Sequence, residues 1–302
     1  MCWAGTILGE VTRETCEKTG LKPGTKVVLG GHDNECALIA ADIFDEDTII
    51  DIVGTWEILI TSSDRPGLTD EKFNAGLTVN ANVIKGQYAT LGPEVSGNLI
   101  EWARRKLFSD YDGRTKTEGR NIWDLLMELA AKSAPGANGV MVLPFFSGRT
   151  CIFPNAKATG SIIGLRDSSD RHDLIQAVLE GVNFQTREIF EALIKFFDHD
   201  FAQLTCIGGM TRNRKYMQTK SDITGKPVKA IDIPEGTSLG AAILAGVGVG
   251  IYGNVREAHE IIRSSVTSMT FEPNKERSER YNELFETYKR AYHMIKDIVP
   301  IR

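Results

Sequence analysis

The sequence predicts an α/β protein with a mixed sheet flanked by helices, and three observations lead to this fold class. Two pairs of short β-rich runs meet at tight turns in the first third of the chain, which indicates antiparallel hairpins. Further along, short apolar runs that end in glycine alternate with segments of helical spacing, as in parallel strands joined by helices. Hairpins followed by strand–helix alternation favour a mixed sheet over an all-parallel one.

Each predicted element depends on a local pattern. The runs 48–53 and 57–61 are separated by little more than Gly54 and Thr55, and a second hairpin over 77–84 and 87–91 turns near Gly86. The other predicted strands occupy 27–29 (buried, between glycines), 140–143, 204–207 and 227–231. Helical spacing predicts helices over 35–41, 98–108, 121–131, 175–193, 238–245 and 281–298, and a polar helix through 217. Residues 64–76 are predicted to be a loop, and 109–120 a charged, exposed segment.

Composition sets the broad class. The chain has 302 residues, 42% hydrophobic and 25% charged, which suits one large or two ordinary domains with a sizeable core. Its net charge of −5 argues against a general binder of nucleic acid or of anionic membranes. There is no apolar run long enough to span a bilayer, and the first residues do not have the order of a signal peptide. Five scattered cysteines without a CxxC pair indicate reduced thiols, so we expect a cytoplasmic protein.

The first motif places a carboxylate, Asp33, after Gly30, Gly31 and His32, between a predicted strand and a helix. Ligand groups in α/β proteins lie beyond the carboxyl ends of strands, but the same aspartate also suits a helix N-cap. Both roles stay open, and they are compatible with each other.

Two glycine turns follow. Gly54-Thr55 offers N–H groups and a hydroxyl to a phosphate, although hairpin turns use such residues for their conformation alone. Gly208 and Gly209 end a predicted strand, and Asn213 follows at a distance that would let its amide reach the polar edge of a flat ligand. A plain strand-to-helix turn explains the second pattern equally well. The chain has no GxGxxG fingerprint, P-loop, HExxH zinc motif or GxSxG elbow.

Together these segments resemble the C-terminal part of the FGGY family of carbohydrate kinases. The matching motifs run in the family's order and cover nearly the whole chain: Ala4-Gly5 to Val11, Gly24 to Asn34, Gly54-Thr55-Trp56-Glu57, Leu143-Pro144 to Arg149, Ala158-Thr159-Gly160 to Leu165, Leu179-Glu180-Gly181, Gly208 to Asn213 with Gln218, Ser221-Asp222 and Gly225 to Val228, and Glu235 with Leu239 to Ala242 and Ala245-Gly246.

The resemblance implies an actin-like ATPase, RNase H-like fold and an ATP-dependent sugar or polyol kinase. It implies that Asp33 is the base facing the hydroxyl that becomes phosphorylated and that His32 lies near the sugar. Gly54 and Thr55 would hold ATP phosphates, whereas Gly208, Gly209 and Asn213 would line the adenosine site. Mg²⁺ is expected to bridge the ATP phosphates, and no residue is assigned as a metal ligand.

Two departures from the family pattern shape the remaining expectations. The family's opening phosphate-gripping hairpin is missing, so residues 1–46 are predicted to be the end of the first, sugar-binding domain and 47–302 the second, nucleotide-binding domain. Trp56 stands where the family more often has a small residue. We therefore expect little or no kinase activity from this chain alone, and self-association or a missing N-terminal domain on another chain as partner. The alternative is a non-catalytic nucleotide-binding or interaction module derived from a sugar kinase.

Overall fold

Two layers of helices enclose a seven-stranded mixed sheet in the computed structural model, which describes residues 2–41, 43–233 and 235–296. The strands are β1 Ile7–Glu10, β2 Lys26–Val28, β3 Thr48–Val53, β4 Trp56–Ser63, β5 Thr78–Ala81, β6 Tyr88–Val95, β7 Met141–Leu143, β8 Ser161–Ile163, β9 Gln203–Ile207, β10 Val228–Ile231 and β11 Ser268–Phe271. The helices are α1 Arg13–Thr19, α2 Asp33–Ala40, α3 Asp70–Asn74, α4 Gly97–Leu107, α5 Asp110–Glu118, α6 Ile122–Ala130, α7 Arg171–Phe197, α8 Arg214–Thr224, α9 Gly236–Gly248, α10 Val255–Arg263 and α11 Lys275–Ile295.

The main sheet has the strand order β11-β10-β9-β3-β4-β6-β5. The strands β10, β9 and β3 are parallel, whereas β3, β4, β6 and β5 are joined by antiparallel pairings and β11 is antiparallel to β10. Both hairpins predicted from the sequence are therefore present, and the predicted mixed α/β sheet is confirmed.

Alternation along β3 divides the core between the two faces of the sheet. Ile49 and Val53 face the cluster that contains α4, α6, α7 and α8, whereas Ile50 packs with α2 and α9 on the other face. Successive side chains of a strand point to opposite faces, so one six-residue run supplies both cores.

The long helix α7 crosses the first of these faces. Asp170 and Asp173 form a capping box at its start, which satisfies backbone N–H groups that would otherwise have no partner. Its apolar stripe is buried from Ile175 to Leu193, as the spacing predicts. Within the described ranges, none of the helices combines the length and apolar composition that a bilayer span requires.

On the second face α2 packs against α9, which is rich in glycine and alanine. A Cβ atom at Gly240 would collide with the backbone carbonyl of Cys36, so this close approach requires glycine. The hydroxyl of Thr237 donates to the Asp33 carbonyl at 3.2 Å and joins the first turns of the two helices.

Two expectations about local structure are wrong. The strand predicted at 27–29 is not buried, because β2 pairs only with β1 in a two-stranded ribbon on which Leu8 is 56% and Val27 40% exposed. The predicted loop 64–76 contains α3. The segment 109–120 is charged and mostly exposed, as predicted, and it forms α5. The part of the last predicted helix beyond 296 lies outside the described residues.

Candidate active site

The carboxyl ends of β3, β9 and β10 lie at one edge of the sheet. Ile52 pairs with Ile207 between β3 and β9, and Cys206 pairs with Ala230 between β9 and β10, all in parallel register. The segments that follow these strands carry the two glycine turns singled out in the sequence and the start of α9. This edge is where open α/β sheets bind ligands.

The Gly54–Thr55 turn is held from both sides. The Gly54 N–H donates to the Trp56 carbonyl at 3.0 Å, which closes the turn between β3 and β4. The carbonyls of Gly54 and Thr55 each accept a 3.1 Å hydrogen bond from the backbone N–H groups of Gly97 and Asn98 at the start of α4. Within the described part of the chain, the Thr55 N–H and hydroxyl are not used by the fold, and Thr55 is exposed. These two donors are therefore open to a ligand.

Gly208 and Gly209 differ in whether the fold leaves room for a side chain. Gly208 has φ +110 and ψ 179, and a Cβ atom there would lie 2.5 Å from the carbonyl oxygen of Val53, the residue before Gly54. This places the two glycine turns in backbone contact with each other. At Gly209, by contrast, a Cβ atom would meet nothing within 4 Å, so the fold itself does not demand glycine. The open space at Gly209 suits a flat ligand that passes close to the backbone.

Asn213 begins α8 as its N-cap. Its Oδ1 accepts the Tyr216 N–H at 3.0 Å, which is the structural role that the turn pattern allows. The cap does not use the amide nitrogen of this half-buried side chain, and the short 3₁₀ turn Gly209–Arg212 directly precedes Asn213. A capping role and a ligand contact therefore remain compatible.

His32 and Asp33 occupy the start of α2, where His32 is the N-cap and Asp33 is the first residue of the helix, so the capping role considered for Asp33 belongs to His32. The Asp33 side chain is 69% exposed, and its Oδ1 lies 2.8 Å from His32 Nδ1. Behind them, the carboxylate of Glu35 is only 1% exposed; its Oε2 lies 2.9 Å from His32 Nδ1, and its Oε1 accepts from the Asn80 amide at 2.8 Å. Sequence reasoning missed Glu35, because nothing in its spacing marks a charged residue as buried.

The start of α2 and the two glycine turns meet through α9. Thr237 binds the Asp33 carbonyl, and a Cβ atom on the preceding Gly236 would lie 3.2 Å from Ile207 Cδ1. Ile207 directly precedes Gly208, and Gly208 in turn contacts Val53 before the Gly54–Thr55 turn. A continuous chain of contacts therefore links the elements that carry the seven residues predicted to form the site: His32, Asp33, Gly54, Thr55, Gly208, Gly209 and Asn213.

Directly beneath the Gly54–Thr55 turn lies a second group that the sequence did not reveal, which we call the buried charge cluster: Asp51, Glu57, Glu94 and Lys220. All four side chains are fully buried. Desolvation raises the pKa of Asp51 to about 8 and that of Glu94 well above its usual range, whereas the Lys220 ammonium and its hydrogen bonds hold the pKa of Glu57 at about 2. An aspartate inside the apolar run of β3 was the available sequence signal.

The described residues offer no metal site built from protein ligands alone, so any Mg²⁺ would have to bind together with substrate phosphates. They contain no group of three or more His, Cys, Asp or Glu side chains able to hold a metal ion. Magnesium in phosphoryl-transfer sites keeps several waters and is held by one or two carboxylates together with substrate phosphates. Substrate phosphates and waters would therefore supply most of the ligands to Mg²⁺ at this site.

Comparison with known proteins agrees with this geometry. The model of the C-terminal domain of the FGGY family of carbohydrate kinases matches residues 51–249. The chain is 26% identical over 293 residues to a xylulose kinase of Staphylococcus epidermidis, covering 97% of this chain and 56% of that protein. It is 31% identical over 282 residues to a glycerol kinase of Clostridium perfringens, covering 92% and 53%.

Among solved structures, the ligand-bound xylulose kinase of Lactobacillus acidophilus superposes with a TM-score of 0.83 at 22% identity, over 98% of this chain and 57% of that one. The expected actin-like ATPase, RNase H-like fold is thereby confirmed. The chain spans about half the length of the curated relatives it matches. Because the family model covers residues 51–249, well over half of the sequence, the chain belongs to the FGGY family of carbohydrate kinases.

Proposed function

We propose that this chain carries the nucleotide site and the base of an ATP-dependent kinase that phosphorylates a hydroxyl group of a sugar or polyol. The observation that carries the proposal is the convergence of the two glycine turns and the start of α2 at one sheet edge. Family membership supports the reaction class, and the xylulose and glycerol kinases among the relatives support a polyhydroxylated acceptor.

In this proposal Gly54 and Thr55 bind the ATP phosphates, and the adenosine lies along Gly208, Gly209 and Asn213. The free Thr55 N–H and hydroxyl supply donors to phosphate oxygens, and the open space at Gly209 admits the nucleoside against the backbone. Phosphoryl transfer is catalysed mainly by positioning and by neutralisation of charge, so rigid placement of these donors is what the reaction needs.

Asp33 acts as the base. The acceptor oxygen attacks the γ-phosphorus, the bond from that phosphorus to the β–γ bridging oxygen breaks, and ADP leaves with the electron pair. The hydroxyl proton passes to the Asp33 carboxylate, which is exposed and therefore reachable by the acceptor. His32, whose Nδ1 faces Asp33 and the buried Glu35, orients the sugar at the same point. Magnesium bound to the ATP phosphates would neutralise charge there, and the Asp33 carboxylate stays free to accept the proton.

The domain division and the partner are part of the proposal. Residues 1–46 would belong to the first, sugar-binding domain and 47–302 to the nucleotide-binding domain. The β1–β2 ribbon exposes Trp3, Leu8 and Val27, which are 48%, 56% and 40% exposed, and it would pack against the rest of a sugar-binding domain on the same or another chain, or against a second copy. This exposed ribbon also favours the alternative function, a nucleotide-binding module that acts through an interaction.

Nucleotide binding is tested with Gly209→Ala. A methyl group in the open space at Gly209 would meet the nucleotide rather than the protein, and we expect the Kd for ATP, measured by titration calorimetry, to rise about tenfold or more. The matched control is Gly113→Ala, which also adds a methyl group into open space but lies in α5. Unchanged ATP affinity in Gly209→Ala would remove the adenosine assignment.

The kinase reaction is tested by ADP release from ATP with a panel of pentoses, hexoses and polyols. We expect turnover to be low for the chain alone and to rise when a sugar-binding FGGY domain is added, and Asp33→Asn to abolish it without changing the Kd for ATP. Binding of ATP together with no acceptor-dependent ADP release under either condition would favour the interaction module. Equal turnover by wild type and Asp33→Asn would eliminate Asp33 as the base.

A further inference from the structure

The buried charge cluster joins the two halves of the proposed nucleotide site. Asp51 lies three residues before Gly54 on β3, and Glu57 two residues after Thr55 on β4, so the cluster holds both arms of the phosphate-binding turn. Asp51 and Glu57 lie on the face of the hairpin that looks toward α7 and α8, because Val53 pairs directly with Glu57 and shares the face of Asp51. Lys220 enters this face from α8.

Lys220 connects the two arms. Its Nζ lies 2.6 Å from Asp51 Oδ2 and contacts Glu57 Oε1, so one ammonium binds a carboxyl group on each strand of the hairpin. Because none of the three side chains is exposed to solvent, water and salt do not screen these contacts. Removing one partner of such a contact would leave an uncompensated buried charge, so we expect Lys220 to keep both arms of the hairpin in place in the folded state.

The third carboxyl group, Glu94, sits directly opposite Glu57 in the β4–β6 ladder. Two carboxylates in that position repel each other, so one must carry a proton. The Thr186 hydroxyl lies 2.8 Å from Glu57 Oε1 and 2.6 Å from Glu94 Oε1, and it has a single proton to give. Thr186 therefore donates to ionised Glu57 and accepts from protonated Glu94, which leaves Glu57 and Lys220 as the ion pair of the cluster.

The same helix makes a second contact with Glu57. Tyr216, one turn before Lys220 on α8, donates its hydroxyl proton to Glu57 Oε2 at 2.8 Å and accepts from the Ser96 hydroxyl at 3.1 Å. Ser96 directly precedes Gly97, whose N–H binds the Gly54 carbonyl. Tyr216 is thus connected to the phosphate-binding turn along two routes.

The N-cap of α8 is Asn213, which ends the segment proposed to bind adenosine. We infer that Lys220 and Tyr216 are positioning residues that fix the Gly54–Thr55 turn relative to α8, and so set the distance between the phosphate and adenosine halves of the nucleotide site. This inference rests on the proposed function. Neither side chain reaches the nucleotide, because both are fully buried; they act through Glu57 and Asp51.

Lys220→Met is the direct perturbation, but it leaves buried Glu57 without its counter-ion and threatens folding itself. Tyr216→Phe is the decisive variant, since it keeps the ring and removes only the hydroxyl that binds Glu57. Tyr288→Phe is its matched control. Tyr288 is equally buried, and within the described part of the chain its hydroxyl has no hydrogen-bond partner.

The readout is the Kd for ATP and for adenosine, measured by calorimetry on the same preparations. A misplaced phosphate turn weakens ATP and spares adenosine, whereas a general loss of structure weakens both. We expect Tyr216→Phe to raise the Kd for ATP about tenfold, the size of one charge-assisted hydrogen bond, and to leave the adenosine Kd unchanged. Tyr288→Phe should match wild type for both ligands, and folded Lys220→Met should lose more ATP affinity than Tyr216→Phe.

Two results would overturn the inference. One is wild-type ATP affinity in Tyr216→Phe, and the other is a parallel loss of ATP and adenosine, which would make the role of Tyr216 structural only. Both leave the proposed function standing, because wild type still binds ATP. Failure of wild type to bind ATP at all would instead remove the proposed nucleotide site and this inference with it.

Discussion

Gly208→Ala tests whether the two glycine turns touch as the structure has them. Gly208 adopts φ +110 and ψ 179, a backbone region that is essentially restricted to glycine. Its added Cβ atom would lie 2.5 Å from the Val53 carbonyl oxygen and 3.1 Å from the Val53 carbonyl carbon. The substitution therefore combines backbone strain with a collision against a backbone that cannot move aside like a flexible side chain.

The magnitude follows from these two contributions. An alanine in this backbone region costs about 1–3 kcal/mol. To reach an ordinary 3.4 Å contact, the turn must move away from Val53 by 3.4 − 2.5 = 0.9 Å, and overpacking of this kind costs about 1–3 kcal/mol more. We expect the free energy of unfolding to fall by about 2–6 kcal/mol in total.

The assay is urea denaturation followed by circular dichroism, with Gly209→Ala as the neighbouring control. Gly209 has room for a methyl group, so its stability should stay within about 0.5 kcal/mol of wild type. The two adjacent substitutions are therefore expected to separate: the first lowers stability, and the second lowers nucleotide affinity. A loss below about 1 kcal/mol in Gly208→Ala would refute the backbone contact between the turns.

Two further predictions concern the helix pair and the buried charge cluster. Gly240→Ala should lower the free energy of unfolding by at least about 2 kcal/mol because its Cβ meets the Cys36 carbonyl, whereas Gly113→Ala should raise it by up to about 1 kcal/mol; equal melting curves would contradict the α2–α9 packing. Folded Asp51 keeps its proton up to a pKa of about 8, whereas the unfolded carboxyl group loses it near 3.8, so the folded state binds more protons between these values. The free energy of unfolding should therefore fall as pH rises from about 4 to 8, by up to about 1.4 kcal/mol per pH unit, and Asp51→Asn should reduce that slope; identical pH profiles for the two proteins would show that Asp51 is ionised throughout.

Much of the fold could be predicted because the spacing of apolar residues and the turn residues determine many of its strands and helices locally. The hairpin around Gly54 and Thr55 follows from two β-rich runs and a tight turn, and α7 follows from an apolar stripe with an aspartate cap. By contrast α5 is charged along its whole length and has no apolar stripe, so spacing alone gives no reason to expect a helix there. The ribbon strand β2 has the composition of a buried strand, but burial depends on what packs against it.

The site shows the same division. Glycines and the acid at the ends of predicted strands could be placed at a ligand-binding edge from sequence alone, because parallel strands share that edge. The buried charge cluster could not, because Lys220 follows Asp51 by 169 residues and only the tertiary fold brings their charges into contact. Glu35 is a similar case, since its partner Asn80 lies 45 residues away on β5.

The length of α7 has a consequence for the order of folding. At 27 residues and 1.5 Å per residue it is about 40 Å long, it begins with a capping box, and it contacts α6 before it and α8 after it in the chain. We expect it to form early, whereas the parallel pairing of β3 with β9 must close a chain segment of about 150 residues and comes late. The carboxyl groups on β3, β4 and β6 would then stay hydrated through most of folding. We expect them to lose their water beneath Thr186 late in folding, when β3 pairs with β9.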